Sequence, residues 1–375
     1  MLNILVTGAQ GFIGKNLCAK LSEFDNFRVT TLNRSDPSSE LPAKVKDADV
    51  IFHLAGENRP TNVEEFKKNN SELTDLLCKE IKEEINRSGR EIKLIYTSSK
   101  QAELDNPYGV SKRIGEYHLE KLHEETKVTT FIYRLPGVFG KWSRPNYNSV
   151  VATFCHNIAR NLPIQIHNPD HCLNLIYIDD LINEFISLIE KKGPKFERRV
   201  INNEYEIKVK ELAEKLLRYH SQRRKLHVSM VGKGLDRALY ATYLSFVPRE
   251  EFSYSIPSYS DDRGTFCEML KTDNSGQISY FTSHPGVTRG EHFHHTKSEK
   301  FLVVQGTARF NFYDINSGET TELIVRSPDA MVVDTVPGCS HSITNIGEDK
   351  LIVLLWANEL FDKQNPDTVA HRTIY

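Results

Sequence analysis

No block of basic residues suited to a nucleic-acid backbone interrupts this sequence of 375 residues, in which 48 Lys and Arg nearly balance 50 Asp and Glu for a formal net charge of -2. That mixture is the ordinary solvated exterior of a globular protein, so nucleic-acid binding is not expected. No apolar run approaches the ~20 residues needed to span a bilayer, and membrane insertion is not expected either. The six cysteines, at positions 18, 78, 155, 172, 267 and 339, include no Cys-x-x-Cys pair. They fit reduced thiols in a cytoplasm better than a disulfide framework or a zinc ribbon. There is no internal repeat and no low-complexity tract. The chain opens on Met1-Leu-Asn-Ile-Leu-Val6, already a strand, so no cleavable signal is expected ahead of it. At this length two domains are expected.

The stretch Asn106-Pro-Tyr108-Gly-Val-Ser-Lys112 carries the first chemical suggestion. Pro107 suits the first turn of a helix. Tyr108 and Lys112 then lie four residues apart on one helix face. A free tyrosine has a pKa near ~10, and an ammonium one turn away is expected to lower it. A tyrosine tuned in this way can hand a proton to a carbonyl oxygen as hydride arrives at carbon. The spacing alone is common by chance in helices, and its meaning depends on what surrounds it.

Leu2 to Val6 reads as a buried strand, followed by Thr7-Gly8-Ala-Gln10-Gly11-Phe12-Ile13-Gly14 and a helical period from Phe12 to Ser22. Strand, glycine-rich turn and helix together make a dinucleotide site: the pyrophosphate approaches the turn and faces the helix N-terminus. The second strand, Arg28 to Leu32, ends in Asn33-Arg34-Ser35 rather than in the acid usual for an NAD ribose. A guanidinium there suits a 2′-phosphate, so NADPH is favoured over NADH, with Asp36 as the feature that speaks for NADH. The third strand, Asp49 to Leu54, runs into His53-Leu54-Ala55-Gly56, whose small residues leave room for cofactor. A long helix is expected from Val63 to Asn86. A fourth strand, Ile92 to Tyr96, leads to Thr97-Ser98-Ser99 at its carboxyl end, where open α/β sheets bind ligands. A fifth, Val128 to Tyr133, leads to Arg134-Leu-Pro136-Gly-Val-Phe-Gly140.

Together with Leu175-Ile-Tyr-Ile-Asp179-Asp180, these segments resemble the extended short-chain dehydrogenase/reductase family over roughly residues 1 to 245. The resemblance implies a Rossmann-type, doubly wound parallel sheet. It implies that Tyr108 is the general acid/base, that Lys112 holds the cofactor ribose and lowers the tyrosine pKa, and that Ser99 bonds the substrate oxygen, with Ser98 as the substitute. It implies cofactor contacts at Gly8, Gln10, Gly11, Phe12, Ile13, Gly14, Asn33, Arg34, Leu54, Ala55, Gly56, Tyr108, Lys112 and Pro136, and a supporting role for Asn70. Only eight residues separate Ser99 from Tyr108, where many members carry a longer loop. Beyond the sheet, Lys141-Trp142-Ser-Arg144-Pro-Asn-Tyr147-Asn148 mixes cations, aromatics and amides; Arg144 and Asn148 are candidates for a nucleotide-sugar diphosphate and its base.

After Pro248 and Pro257 the texture changes to short β-type runs between Gly, Pro, Asn and Asp, as in an all-β sandwich or jelly roll. The division expected is 1–247 and 248–375. Gly286-x5-His292-x-His294-x4-Glu299-x6-Gly306 is followed by Pro337-Gly338-x-x-His341-x3-Asn345. Residues two apart on a strand share a face, so His292 and His294 can point into a barrel together, with Glu299 and His341 from other strands. Three imidazoles and a carboxylate suit one divalent ion, zinc first, with Fe, Mn or Ni as other candidates and His295 as a substitute ligand. The pattern resembles the cupin superfamily, with Ala330 where a glycine is usual. Asp261-Asp-Arg263-Gly-Thr-Phe-Cys-Glu268 and Gly286-Val-Thr-Arg289-Gly-Glu-His292 resemble its dTDP-4-keto-6-deoxyglucose 3,5-epimerase branch. That branch implies nucleotide contacts at Arg263, Glu268 and Arg289 and a catalytic base at His292, which cannot at once be a tightly held ligand.

Nearly the whole chain, including Trp142–Val150, Thr296–Val304 and Gln364–Thr368, resembles the CapF-type family of bifunctional capsular polysaccharide enzymes. The resemblance implies a homodimer. It implies C3 epimerisation of a UDP-4-keto-6-deoxy-HexNAc in the cupin, then C4 reduction with NADPH to a UDP-2-acetamido-2,6-dideoxy-L-talose-type product, on the route to UDP-N-acetyl-L-fucosamine. The rival reading keeps the reductase and makes the cupin a metal-stabilised dimerisation or sugar-binding module.

Overall fold

Ile4, Leu5 and Val6 are wholly buried, as befits a strand covered on both faces. They lie in β1 (Leu2–Thr7), which pairs in parallel with β2 (Phe27–Leu32) on one side and β3 (Val50–His53) on the other. With β4 (Lys93–Ser99), β5 (Thr129–Leu135) and β6 (Phe196–Arg199) they form a parallel sheet of order β2-β1-β3-β4-β5-β6. In this computed structural model the described residues are 1–372 without 192, 194, 257, 262, 263, 268, 269, 273–275, 360, 361 and 363; for 258–261, 264–267, 271 and 277 the backbone alone is described.

Helices α1 (Phe12–Leu21), α2 (Leu41–Asp47), α3 (Leu73–Ser88), α4 (Pro107–Thr126) and α5 (Ile178–Ile189) connect and cover the strands. Leu5, Ile51, Leu94 and Ile132 pack with Leu77, Ile81, Leu119 and Leu122 of α3 and α4. Phe185 of α5 meets Phe52 and Tyr133 at ring distances of 5.8 and 5.3 Å. Ile51 and Phe52 are strand neighbours and so serve opposite faces. Burying each such side chain stabilises by about 1.5–3 kcal/mol. The strand order reverses between β1 and β3, and ligands of open α/β sheets lie at such a switch point.

The long helix expected from Val63 to Asn86 is broken. A short turn, Glu64–Phe66, passes into a π-helical stretch, Lys67–Glu72, before α3 begins. The wider turn carries Asn70 and Ser71 inward, where both are buried. π-Bulges of this kind are frequent at functional sites.

Packing divides the chain into two units. The first is Met1–Val138, Tyr147–Ser149 and Leu173–Glu206; the second is Phe139–Asn146, Val150–Cys172 and Ile207–Tyr375. In the second, β7 (Ser253–Ser255), β8 (Gln277–Ser283), β9 (Thr288–Phe293), β10 (Glu299–Gln305), β11 (Thr307–Asp314), β12 (Thr320–Arg326), β13 (Met331–Thr335), β14 (Cys339–Asn345), β15 (Leu351–Ala357) and β16 (Val369–Ala370) form two antiparallel sheets. Their orders are β7-β13-β10-β15-β8 and β12-β11-β14-β9-β16. This is the expected all-β, cupin-type barrel beside a Rossmann-type sheet. Phe301 of one sheet meets Phe310 of the other at 6.0 Å between ring centroids.

Helix α6 (Val209–Arg224) belongs to this second unit and is tied to the barrel by charge. Asp334 on β13 receives Arg223 at 2.6 Å and Lys300 of β10 at 2.7 Å, all three side chains being buried. Lys300 also donates to the Tyr254 hydroxyl at 2.9 Å. Cys18, Cys78, Cys155, Cys172 and Cys339 are free thiols. Among the described residues no helix is long and apolar enough to cross a membrane.

Candidate active site and metal centre

The turn from β1 into α1 depends on glycine. Gly8 adopts a positive φ of +71°, and a Cβ at Gly14 would lie 2.3 Å from the Gly8 carbonyl oxygen. Gly11 precedes α1, whose first residues are Phe12 and Ile13. The Gln10 N–H donates to Asn33 Oδ1 at 3.0 Å, bringing together two of the expected cofactor residues. Asp36 accepts the Asn33 N–H at 2.8 Å. Arg34 is exposed and pairs with Glu57 at 3.1 Å and Glu65 at 3.0 Å. A 2′-phosphate at Arg34 would take the place of those carboxylates.

At the carboxyl end of β4, Ser98 and Ser99 separate in role. Ser98 donates to Glu116 at 2.5 Å, and Glu116 is also held by Arg134 at 2.7 Å. Ser99 faces Tyr108 instead and works to lower the pKa of its phenol. The short connection is filled by a 3-10 turn, Lys100–Glu103, with Ser99 accepting the Gln101 N–H. Asn106 caps α4 by accepting the Gly109 N–H at 2.8 Å, with Pro107 in the first turn. Leu135 lies opposite Ser99 in register, so Pro136 follows at the same end of the sheet.

Lys112 is buried, and its Nζ donates to the Thr97 carbonyl at 3.0 Å. A Cβ at Gly56 would lie 2.9 Å from that Nζ. Burial lowers the lysine to about 8, partly countered by Glu116. Tyr108 departs from expectation. Burial raises its pKa, and the hydrogen bond with Ser99, rather than the charge of Lys112, works against the rise. The phenol therefore stays protonated through neutral pH.

Residues the sequence did not single out hold this group in place. His53 is wholly buried and lowered to about 3, by burial and then by Lys112. The Ala55 N–H donates to Thr7 Oγ1 at 3.2 Å, and that hydroxyl meets His53 Nδ1 at 2.7 Å. His53 Nε2 meets Thr74 Oγ1 at 2.9 Å, and Thr74 donates to the Asn70 carbonyl at 2.6 Å. The last bond uses the Thr74 proton, so His53 is neutral with its hydrogen on Nε2. Asn70 accepts the Glu57 N–H at 2.7 Å and donates at 2.9 Å to Ser111, the residue before Lys112. Tyr147 donates to Glu57 at 2.8 Å. Glu57 ends below its usual range: burial opposes its charge, and the hydrogen bonds from Tyr147 and the Arg59 and Asn58 N–H groups outweigh it. No local pattern announces contacts of this span; the π-turn that brings Asn70 inward was equally silent.

In the second unit, the candidate ligand atoms of His292, His294, Glu299 and His341 lie within 4.8 Å of one another. His294 Nε2 is 3.2 Å and His341 Nε2 3.4 Å from Glu299 Oε2. The ring centroids of His292 are 4.9 Å from His294 and 4.8 Å from His341. Burial opposes the charge of Glu299, but the two imidazole hydrogen bonds hold it well below the carboxylate range. His292 is pushed down to about 4 by burial and its histidine neighbours. The donor set fits a divalent ion: a carboxylate and three imidazoles converge, and the protons now facing Glu299 are those such an ion would displace. Gly338, with φ +78°, sends its N–H to the His294 carbonyl at 2.9 Å. A Cβ there would lie 2.7 Å from the Trp142 ring, so the glycine preceding His341 is sterically required. His295, the substitute ligand, is not in this cluster.

Arg289 is exposed on β9 and lies over the Phe281 ring at 5.1 Å. Arg144 is exposed in the second unit and Asn148 in the first. Arg263 and Glu268 lie outside the described residues.

Residues 4–202 match the NAD dependent epimerase/dehydratase family, and residues 259–369 match the polysaccharide biosynthesis C-terminal domain. The chain belongs to the NAD dependent epimerase/dehydratase family. Relatives share the full two-part arrangement that marks the CapF-type members. A UDP-2-acetamido-2,6-beta-L-arabino-hexul-4-ose reductase of Pseudomonas aeruginosa is 53% identical over 369 residues, 98% of each chain. The crystal structure of capsular polysaccharide assembling protein CapF from Staphylococcus aureus is 39% identical, with 99% of this chain and 100% of that one covered and a TM-score of 0.67. UDP-glucuronic acid 4-epimerase from Bacillus cereus, in complex with NAD, shares the fold alone, at 21% identity, 59% of this chain and 84% of that one, with a TM-score of 0.52.

Proposed function

We propose that the chain is a bifunctional UDP-sugar enzyme. Residues 248–375 epimerise C3 of a UDP-4-keto-6-deoxy-HexNAc, and residues 1–247 reduce its C4 ketone with NADPH to a UDP-2-acetamido-2,6-dideoxy-L-talose-type product, on the route to UDP-N-acetyl-L-fucosamine. The observation that carries the reading is the buried Lys112, one turn on from Tyr108, with its Nζ on the Thr97 carbonyl and against Gly56 at the carboxyl end of the sheet that Ser99 also occupies. The Pseudomonas aeruginosa reductase, similar over nearly the whole chain, supports the class of substrate.

NADPH would supply the hydride to C4. Ser99 and Tyr108 bond the ketone oxygen, and Tyr108 gives it the proton, so that the hydroxyl is complete as the carbon receives hydride. Lys112 offers ammonium hydrogens to ribose hydroxyls beside Gly56. Asn33 and Arg34 meet the adenosine ribose and its 2′-phosphate. In the cupin, the same C4 ketone acidifies the C3 hydrogen, so removal of that proton and its return on the other face invert C3. A divalent ion, zinc in this proposal, would be held by His292, His294, Glu299 and His341 and would polarise a bound oxygen. His292 as ligand and His292 as C3 base exclude each other, and metal content decides between them. Arg144, Asn148 and Arg289, with Arg263 and Glu268, are the proposed UDP contacts. The working assembly is a homodimer in the cytoplasm, to be checked by light scattering and fractionation.

The test incubates UDP-4-keto-6-deoxy-HexNAc in D2O, first without and then with NADPH, and follows products by NMR and mass spectrometry. Deuterium at C3 without NADPH and a C4-reduced sugar with it are expected. Reduction without C3 exchange would leave a reductase with a non-catalytic cupin; neither reaction would overturn the proposal. Elemental analysis of the purified protein and of His341→Ala completes the test.

A further inference from the structure

Two segments of the second unit that lie far apart in sequence, 294–298 and 364–368, meet directly behind the candidate metal ligands. Asp367 is the centre of the junction. Its carboxylate accepts the N–H of His295 at 2.9 Å, of Thr296 at 2.8 Å and of Lys297 at 2.8 Å, and the Thr296 hydroxyl at 2.9 Å. Three consecutive N–H groups converging on one anion form a nest, a backbone arrangement that selects negative charge. The same residue's carbonyl oxygen lies 2.5 Å from His294 Nδ1. A carbonyl can only accept, so Nδ1 carries the hydrogen, and Nε2 is the nitrogen turned toward Glu299 and the cluster. Asp367 has φ +36°, a left-handed conformation that side-chain-bearing residues rarely adopt. Lys297 Nζ closes the junction from the other side, on the Pro366 carbonyl at 2.9 Å.

We propose that Asp367 is a positioning residue of the metal centre, whose carboxylate clasps the 295–297 turn so that its carbonyl fixes the tautomer and ring direction of His294. The proposal rests on the reading of His292, His294, Glu299 and His341 as metal ligands. Its logic is that of a ligating histidine held through its second nitrogen, where loss of the partner costs 10–100-fold in metal affinity. The carboxylate is the part that substitution can remove. Without it the left-handed backbone keeps only the Lys297 bond to the Pro366 carbonyl, and the Asp367 carbonyl is free to leave Nδ1. Asn at this position keeps one acceptor oxygen for the nest and turns an amide hydrogen toward the remaining donors, so it holds the clasp in part. Thr368 touches the same segments, with its hydroxyl on the Pro366 carbonyl at 2.9 Å, and does not reach His294.

The experiment compares the full-length protein with Asp367→Ala, Asp367→Asn and Thr368→Val. Zn2+ affinity is measured by competition with a chromophoric chelator, Co2+ substitution gives the d–d spectrum, and imidazole 15N shifts are recorded on the metal-free protein. Asp367→Ala is expected to weaken Zn2+ by about 10–100-fold, to change the Co2+ spectrum and to release His294 Nδ1 from the carbonyl, seen as a change in its Nδ1 15N shift. Asp367→Asn should fall between it and wild type, and Thr368→Val should stay within about twofold of wild type. A merely structural role would lower the melting temperature of the metal-free protein with Zn2+ affinity, Co2+ spectrum and His294 Nδ1 shift unchanged, and that result overturns the proposal. Should Asp367→Ala fail to fold, Asp367→Asn carries the same comparison. If wild type binds neither Zn2+ nor Co2+, the metal reading falls and the clasp is judged on the Nδ1 shift alone: an unaltered His294 in both variants overturns it.

Discussion

Lys112 and Glu299 are both ionisable side chains held inside the protein, and they are kept there by different means. Lys112 has a neutral carbonyl as its described hydrogen-bond partner, and burial brings it down to about 8. Around it the polar groups are hydroxyls, an amide and the neutral His53. Glu299 instead faces the Nε2 atoms of His294 and His341, whose hydrogen bonds favour its charged form. The first site is thus a buried cation with neutral groups as its hydrogen-bond partners and the Glu116 charge acting on it from further off. The second gathers more lone pairs than its protons can satisfy comfortably, which is the condition a divalent cation relieves. Acidity in the neutral range therefore bears on the second site far more than on the neutral network of the first.

The sharpest way to break that contrast is to remove one proton donor. Tyr108→Phe is expected to slow ketone reduction by about 10²–10⁴ while leaving NADPH binding and the metal content of the second unit as in wild type, read from turnover, cofactor titration and elemental analysis. Unchanged turnover would remove Tyr108 from the chemistry; lost metal would show that the sites are not independent.

A second test asks whether the second unit really holds charge with charge. Asp334→Asn leaves Lys300 and Arg223 buried without their carboxylate, at a cost of about 3–5 kcal/mol, measured by denaturant unfolding. In wild type, burial opposes ionisation of Asp334 but Lys300 and Arg223 hold its pKa below the usual value; burial opposes the charge of Lys300 but Asp334 raises it above the usual value. A depressed carboxylate stabilises above its unfolded pKa of ~3.9, and a raised lysine stabilises below its unfolded value of ~10.4. The contribution should be full between those limits, lost as pH falls through the folded Asp334 value and lost again as pH rises through that of Lys300. A variant as stable as wild type, with the same pH profile, would mean that the cluster is not a fastening.

The smallest effect separates two adjacent serines. Ser99→Ala should lower kcat about tenfold, worth ~1.4 kcal/mol. Ser98→Ala should cost about 1 kcal/mol of stability with kcat nearly unchanged, because Arg134 still holds Glu116. Equal kinetic losses would show that the two hydroxyls share the substrate oxygen.

The chemistry-bearing residues of the first unit were legible because they are local. A glycine turn between strand and helix, and a four-residue step along one helix, write their geometry directly into spacing. The histidine pattern of the barrel was legible for the same reason, two residues per strand repeat. Other features were not. Tyr108 is governed by burial, which depends on packing from several elements, so its pKa rises where the helix spacing alone suggested a fall. Asn70 turns inward because six residues of the expected α-helix give way to a wider π-turn, and no residue type there demands it. Arg34 was expected for a phosphate, but its Glu57 and Glu65 partners come from beyond the second strand. Asp367 lies 73 residues from His294 in sequence, and Asp334 lies 111 from Arg223. Contacts of that span follow from the closure of the barrel, which no periodicity records.

The bond between Arg223 and Asp334 also has a bearing on time. A ribosome delivers the helix that carries Arg223 well before the strand that carries its carboxylate, 111 residues later. At ~5–20 residues per second that interval is on the order of 10 s. Throughout it the Arg223 guanidinium has no Asp334 carboxylate to receive it, while the sheet of the first unit already has all its strands. Vectorial synthesis therefore makes this fastening of the second unit one of its later events, closed only when the strand carrying Asp334 has been made.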